Sequence, residues 1–436
     1  MREDFLQYLW RLARFDLREL RTTEGERISI QDFGVLNRGA GPDFGQARVR
    51  VAGMQWAGQV EVHVSSSEWY AHGHQEDPRY DSVILHVVHE EDRPVFRRDG
   101  SRIPCLELRG RIPPGLMNSY WRLMHQEHWV PCMPQLHKVG AAVRTLWLER
   151  LAVERLEERS SRFLTYLEDC GNDWEAAFYR SLARSLGGRV NGEAMEMLAA
   201  SLPLRVLQKH RHSLLQLEAL LFGQSGLIPK APPQGGEEAA YVSLLRREYQ
   251  LLRAKYDLLP LPVTVWRYLR LRPGNFPTVR IAQLATLLYR SAQLFGKSLA
   301  AAGVEELRNM FEVQLSNYWT EHHRFGGRSK RRSKRRLGSG MVDNIIINTI
   351  VPAQTAYGLR REDDRYRRRA LDLLQVLPPE TNSITRGWRR AGVEARSAAE
   401  SQALLQLKQD YCSVPRCTEC AIGHVLLSRP GAADAA

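Results

Sequence analysis

Apolar runs long enough to cross a membrane are missing from this chain. A basic, apolar leader is missing too: Met1-Arg2-Glu3-Asp4 opens straight into an amphipathic pattern. Both absences lead us to expect a cytoplasmic protein with no membrane contact. Cysteine is scarce, six in 436 residues, which in that compartment argues against a disulfide framework. No repeat period is present, so a solenoid is not expected. Acid is in deficit. Sixty-two Lys and Arg face 49 Asp and Glu, a net charge of +13, and that balance calls for a polyanionic partner, most simply nucleic acid. The length suggests two or three domains, and 43% hydrophobic content is enough for ordinary globular cores.

The densest chemistry lies between Gly41 and Glu90. Residues 47–51 (ARVRV) alternate with a period of two, as a half-buried strand does. Ala52-Gly53 reads as a turn, and residues 56–64 alternate again. Val60, Val62 and Val64 share one face of that second strand, so Glu61 and His63 point together from the other. Residues 83–88 (VILHVV) form a continuous apolar run, the mark of a strand buried on both sides.

Asp43 precedes the first strand and Glu61 lies in the next. Adjacent antiparallel strands can bring these carboxylates together as ligands for magnesium or manganese, hard cations that take oxygen donors. A metal there would serve phosphoryl hydrolysis. The same stretch is rich in histidine. His72, His74 and Asp77 form a possible additional metal site, although the two-residue spacing of the histidines is not that of a helical zinc motif. The blander reading is a polar loop whose histidines make ordinary hydrogen bonds. For His86, inside an apolar strand, a satisfied core histidine is favoured.

Pro42-Asp43 and Glu61-Val62-His63, in the order helix, strand, Pro-Asp, strand, strand, helix, strand, resemble the core of the PD-(D/E)xK nuclease superfamily over residues 1–110. The resemblance implies that Asp43 and Glu61 hold the metal, and that His63 stands where the superfamily carries lysine, as catalytic base or ligand. It also draws attention to acids on the first helix; for Glu3 and Asp4 we adopt simple surface solvation. Nearly the whole chain, including LRPGNFPTVRIAQLA (271–285), IINTIVPAQTAYG (346–358) and YCSVPRCTECAIG (411–423), resembles the uncharacterised bacterial domain-of-unknown-function family 2851. That resemblance implies no activity.

From Ala141 onward helical patterns dominate, with Asp173 as a cap, Gly187-Gly188 as a stop and a stop or kink near Pro352. Residues 324–336 (RFGGRSKRRSKRR) carry Arg324, Arg328, Lys330, Arg331, Arg332, Lys334, Arg335 and Arg336 and no acid. A run of like charges in a Gly/Ser-rich segment fits phosphate contacts that carry little sequence preference. Near the C-terminus, Cys412, Cys417 and Cys420 have metal-ligand spacing, with either Cys132 or His424 as a fourth ligand to structural zinc or a [4Fe–4S] cluster.

The expected fold is therefore α+β. A nuclease-like α/β module with a small mixed sheet spans 1–114, and a larger, mainly helical domain spans 115–436. The expected activity is metal-dependent hydrolysis of nucleic acid, DNA ahead of RNA. Two alternatives stand beside it: a non-catalytic nucleic-acid-binding protein on a degenerate nuclease core, and a histidine-centred metallohydrolase of a small substrate.

Overall fold

The computed structural model describes residues 1–231, 236–329 and 336–428. The fold is α+β, with a mixed six-stranded sheet near the N-terminus and helices through most of the remainder. Two compact units form. One comprises Met1–Trp147 together with the chain from Leu407 onward; the other is Leu148–Gln406. The boundary expected at 114/115 thus lies well before the observed one, which falls inside the continuous helix Ala141–Asp169. Pro113-Pro114 does not end the first unit. It starts another helix there, Pro114–Met124, since proline is tolerated in a first helical turn.

In the first unit, α1 (Glu3–Arg11) buries Phe5, Leu6, Leu9 and Trp10, the stripe its helical periodicity dictates. The strands are β1 (Ile28–Asp32), β2 (Val35–Leu36), β3 (Phe44–Val51), β4 (Met54–Ser65), β5 (Val83–Glu90) and β6 (Cys105–Glu107). Their order is β1-β3-β4-β5-β6, with β2 paired to the start of β3. β1, β3 and β4 run antiparallel, while β4, β5 and β6 run parallel. Ala52 and Gly53, at φ 49° and 84°, close the β3–β4 hairpin, both in the left-handed region that a tight two-residue hairpin turn favours. The parallel step from β4 to β5 needs a crossover, and residues 66–82 supply it through the short helix α2 (Glu68–Ala71). β5 is buried on both faces through Val88, as its unbroken apolar run requires.

The second unit is almost wholly helical. Asp173 caps Trp174–Ser201 by accepting from the Ala176 N–H, and Gly188, non-helical at φ 59° and ψ −155°, divides that stretch into two helices, where the sequence predicts a stop. The apolar stretch after Ser339 is a buried helix, Ser339–Ile345, then a π-helical turn, Ile346–Ile350, then the helix Val351–Arg361, with Pro352 in its first turn. Among the described residues, no helix is long and apolar enough to cross a membrane.

One close helix contact in this unit makes a prediction. A Cβ on Gly223 would lie 2.0 Å from Tyr249 Cγ, in the facing helix Gly236–Tyr256. Gly223→Ala gains about 1 kcal/mol of helix propensity. Overpacking a buried ring costs ~1–3 kcal/mol or more. At this separation the clash dominates, so the variant unfolds at lower temperature, by about 2 kcal/mol of stability. An unchanged melting temperature would show that the two helices separate freely.

Candidate metal centre

The site is built on the face of β4 from which Glu61 and His63 point. Asn37 shapes the loop leading into it. Its Nδ2 donates to the Ala40 and Pro42 carbonyls at 3.3 and 3.1 Å, and its Oδ1 accepts from the Gly39 N–H at 2.8 Å. The loop sets Asp43 beside Glu61. The Asp43 N–H donates to Glu61 Oε2 at 3.0 Å, and the Val62 N–H donates to Asp43 Oδ2 at 3.1 Å. From α1, Gln7 Nε2 donates to Asp43 Oδ1 and to Glu3 Oε1, both at 2.9 Å. Burial pushes Asp43 up to about 7, aided by the Glu61 charge, and burial likewise lifts Glu61 to about 7. Glu3 is also pushed up to about 7, by burial and by the charges of Asp43 and Glu61. Three carboxylates thus share a space where their charges repel.

Imidazoles stand against them. The parallel register places His86 beside Glu61, so Glu61, His63 and His86 share a face. His72 and His74 follow α2, and Gly73 between them, at φ 73°, turns the chain back over the sheet. The donor nitrogens of His63, His72 and His74 all lie within 4.8 Å of one another. Glu61 Oε1 is 3.3 Å from His74 Nε2 and 3.6 Å from His63 Nε2. Tyr80 stacks on His74, with ring centroids 3.8 Å apart. His63 Nδ1 and His86 Nε2 are 2.8 Å apart, so one of them carries the proton. When His63 Nδ1 carries it, His63 Nε2 presents a lone pair toward His72, His74 and Glu61. Burial, followed by the neighbouring imidazoles, pulls His63 down to about 2; burial pulls His86 to about 3. Both are therefore neutral near pH 7.

The donor set fits a divalent cation. Buried and half-buried carboxylates in mutual repulsion gain a counter-charge, and neutral imidazoles supply lone pairs. Mixed oxygen and nitrogen donors suit manganese or zinc better than magnesium, which prefers oxygen alone. Asp77, grouped with His72 and His74 by sequence, is engaged elsewhere. It caps the 3-10 turn Pro78–Tyr80 and pairs with Arg79, which holds its carboxyl down at about 2. A cleft of about 310 Å³ shares Gln7 and Asn37 with the site, and Arg11, Arg38 and Arg416 line it together with Asp4 and Glu419.

The thiols occupy a different place in the same unit. Burial, followed by the neighbouring Cys132, Cys420 and Cys417, raises the Cys412 thiol, and among the described residues the three histidines are the group whose ligand atoms converge, not these cysteines. His424 directs Nε2 to the Thr418 carbonyl at 2.6 Å, and its ring packs on Tyr8. In the second unit, Arg324 ends a short strand and Arg328 pairs with Glu321 at 3.0 Å. Arg336 is exposed, whereas Lys330, Arg331, Arg332, Lys334 and Arg335 lie outside the described residues.

Four participants were not assigned to the site by sequence: Glu3, Gln7, Tyr80 and His86. The Glu3/Gln7 spacing of four on one helix face was the available signal for α1. Asn37 acts one step back from the donors, and removing such support usually costs ~10–100-fold in metal affinity. Asn37→Ala is expected to weaken manganese binding by about that factor without unfolding the protein, as calorimetric titration would show.

Fold and donors together define an α+β protein with a carboxylate–histidine candidate metal centre. The chain belongs to the family described as protein of unknown function (DUF2851), whose model matches residues 3–383. Every residue of the centre lies inside that span, and Cys412, Cys417 and Cys420 lie beyond it. No curated protein and no solved structure matches the chain.

Proposed function

We propose that this protein is a metal-dependent hydrolase of phosphodiester bonds in nucleic acid. The observation that carries the reading is the pairing of Asp43 with Glu61 on the sheet face that also gathers the His63, His72 and His74 nitrogens. The order helix, antiparallel strands, crossover helix, parallel strand agrees with the nuclease resemblance and supports it. Arginines of the adjoining cleft and the net charge of +13 support a polyanionic substrate.

Asp43 and Glu61 would hold the ion, with His63 and His74 as nitrogen ligands. When bound, the ion supplies charge stabilisation at the phosphate and an activated water. His63 is buried and its outward nitrogen faces other donors, so ligation suits it better than base catalysis. His72 is the exposed member of the trio and is placed to take a proton from the site to solvent. Gln7 fixes Asp43 and Glu3 through one amide.

The test is a cleavage assay on labelled single-stranded, duplex and branched DNA and RNA. Manganese, zinc and magnesium are compared with EDTA. Metal-dependent cleavage by the wild type, lost in Asp43→Asn, supports the reading. Salt-sensitive binding without cleavage in any metal replaces it with the non-catalytic reading, which the histidine at the usual lysine position favours. Failure of both binding and cleavage, with tight metal uptake, favours a hydrolase of a small substrate, for which the three-histidine cluster is the motivating feature.

A further inference from the structure

The metal centre occupies one end of its sheet face, and the hairpin end of the same face is basic. Arg48 and Arg50 in β3, and Arg27 just before β1, are exposed, and none of the three forms an ion pair among the described residues. Arg98 and Arg109 of the same unit, by contrast, pair with Asp81 and Glu90 at 2.5 and 2.7 Å. Asp32 stands opposite Arg48, but its Oδ1 accepts the Gly34 N–H at 2.9 Å.

Simple alternation would separate these arginines from the centre. Asp43 and Arg48 differ in parity, which in a regular strand means opposite faces. A β-bulge reverses this. Phe44 pairs with Val60 but Ala47 pairs with Gly58, so β3 carries one extra residue, and Gln46 takes φ 61° there. Burial follows the shift: Phe44 is buried, then Ala47, Val49 and Val51. Asp43 faces Glu61, whose N–H and carboxylate contacts are already described, and Gln55 and Ala57 share the Glu61 face of β4 by their even spacing. Arg50 is opposite Gln55 and Arg48 is opposite Ala57. Ser29 is opposite Arg50, and Arg27 lies two residues before it, on the same side. The three arginines therefore extend the face of the metal centre, beginning ~13 Å from Glu61 and reaching ~20 Å at about 3.3 Å per residue.

The face also selects its partner. Trp56 and Met54, exposed at the hairpin, are opposite Val49 and Val51 and so project from the other side. The arginine side presents cations and the Gln55 amide with no ring on which an unpaired base could stack, which is the chemistry of backbone contact. We infer that Arg27, Arg48 and Arg50 form a docking surface for the phosphate backbone of duplex nucleic acid, which they lead along the sheet into the metal centre. What happens at the centre rests on the hydrolase reading; the docking itself needs no metal. At ~3.4 Å of axis per nucleotide, the contacts fall about four to six base pairs to one side of the bond cut.

The experiment follows binding of the full chain to a labelled duplex by anisotropy, in EDTA, between about 50 and 200 mM salt. Each arginine that neutralises a phosphate adds about one unit to the slope of log affinity against log salt. Arg27→Gln/Arg48→Gln/Arg50→Gln is expected to lose about three units, so that its affinity falls about 50-fold less than that of wild type over this range. Arg98→Gln/Arg109→Gln and Asp43→Asn are expected to keep the wild-type slope. Should the triple variant fail to fold, Arg48→Gln alone is expected to lose about one unit. A wild-type slope in the arginine variants overturns the docking surface even where metal-dependent cleavage is observed, and so does a wild type that does not bind duplex. Single strand bound as tightly as duplex, with the same loss of slope in the variants, overturns the assignment to duplex. The expected loss of slope without cleavage in any metal upholds the surface and removes the hydrolase reading instead.

Discussion

Asp43→Asn and Glu61→Gln each reduce metal-dependent cleavage to background while leaving the metal-free protein folded. Each replaces a charged oxygen donor with a neutral amide of nearly the same shape. Loss of a direct ligand should exceed the ~10–100-fold penalty typical of a supporting residue. The metal-free fold has no reason to suffer. Asp43, half-buried, and Glu61, buried, are neighbours whose charges repel, so removing one charge relieves that repulsion. Asn and Gln can also keep the bonds from the Val62 and Asp43 N–H groups through their carbonyl oxygens.

Metal binding gives the same variants a second readout. An ion that binds only the folded state at a concentration about 100 times its dissociation constant stabilises by ~2.7 kcal/mol. Wild type should therefore melt at a higher temperature with manganese than with EDTA, and the two variants should not. Cleavage surviving in both purified variants would remove Asp43 and Glu61 from the chemistry. A manganese shift that persists with cleavage abolished would instead make the histidines the dominant ligands and the carboxylates purely catalytic.

Much of this centre is legible in the chain because β-structure has a period of two. Alternation in residues 56–64 puts Glu61 and His63 on one side, and the Ala52-Gly53 turn forces the preceding strand alongside, with Asp43 at its start. What alternation cannot give is the partner on the other edge. The β4–β5 pairing is parallel and made through a crossover, so the register that brings His86 to Glu61 is invisible in a local window. His86 within VILHVV has the same local pattern whether it fills a core or supports a ligand. Glu3 is ambiguous for a related reason: acids at the start of a helix are favoured by its dipole in any setting. Its bond through Gln7 to Asp43 depends on how α1 docks. The domain division was misplaced because Pro113-Pro114 resembles a terminator, whereas the real division lies within a helix that has no breaker.

Glu218→Gln should make the protein more stable above pH 7 by about 3 kcal/mol, with the advantage vanishing in acid. Glu218 is 2% exposed in the helix Leu214–Gln224. Its carboxylate accepts from Ser316 Oγ at 2.8 Å and from the Tyr241 hydroxyl at 2.9 Å, and burial pushes it up to about 7 from the usual 4.5. A raised carboxylate contributes its full stability below its unfolded value and loses it as pH rises through the folded value. The loss therefore runs from about pH 4.5 to just above 7. At ~1.36 kcal/mol per pKa unit it amounts to about 3 kcal/mol. Glutamine does not titrate. Tyr241 accepts from Trp319 Nε1, so its proton points at position 218, where the glutamine carbonyl can receive it. The amide can then face Ser316 Oγ, which accepts as readily as it donates. Melting temperatures of wild type and variant between pH 5 and 9 would test this. Divergence above pH 7 is expected, and parallel curves would mean that Glu218 is ionised without penalty in the folded state.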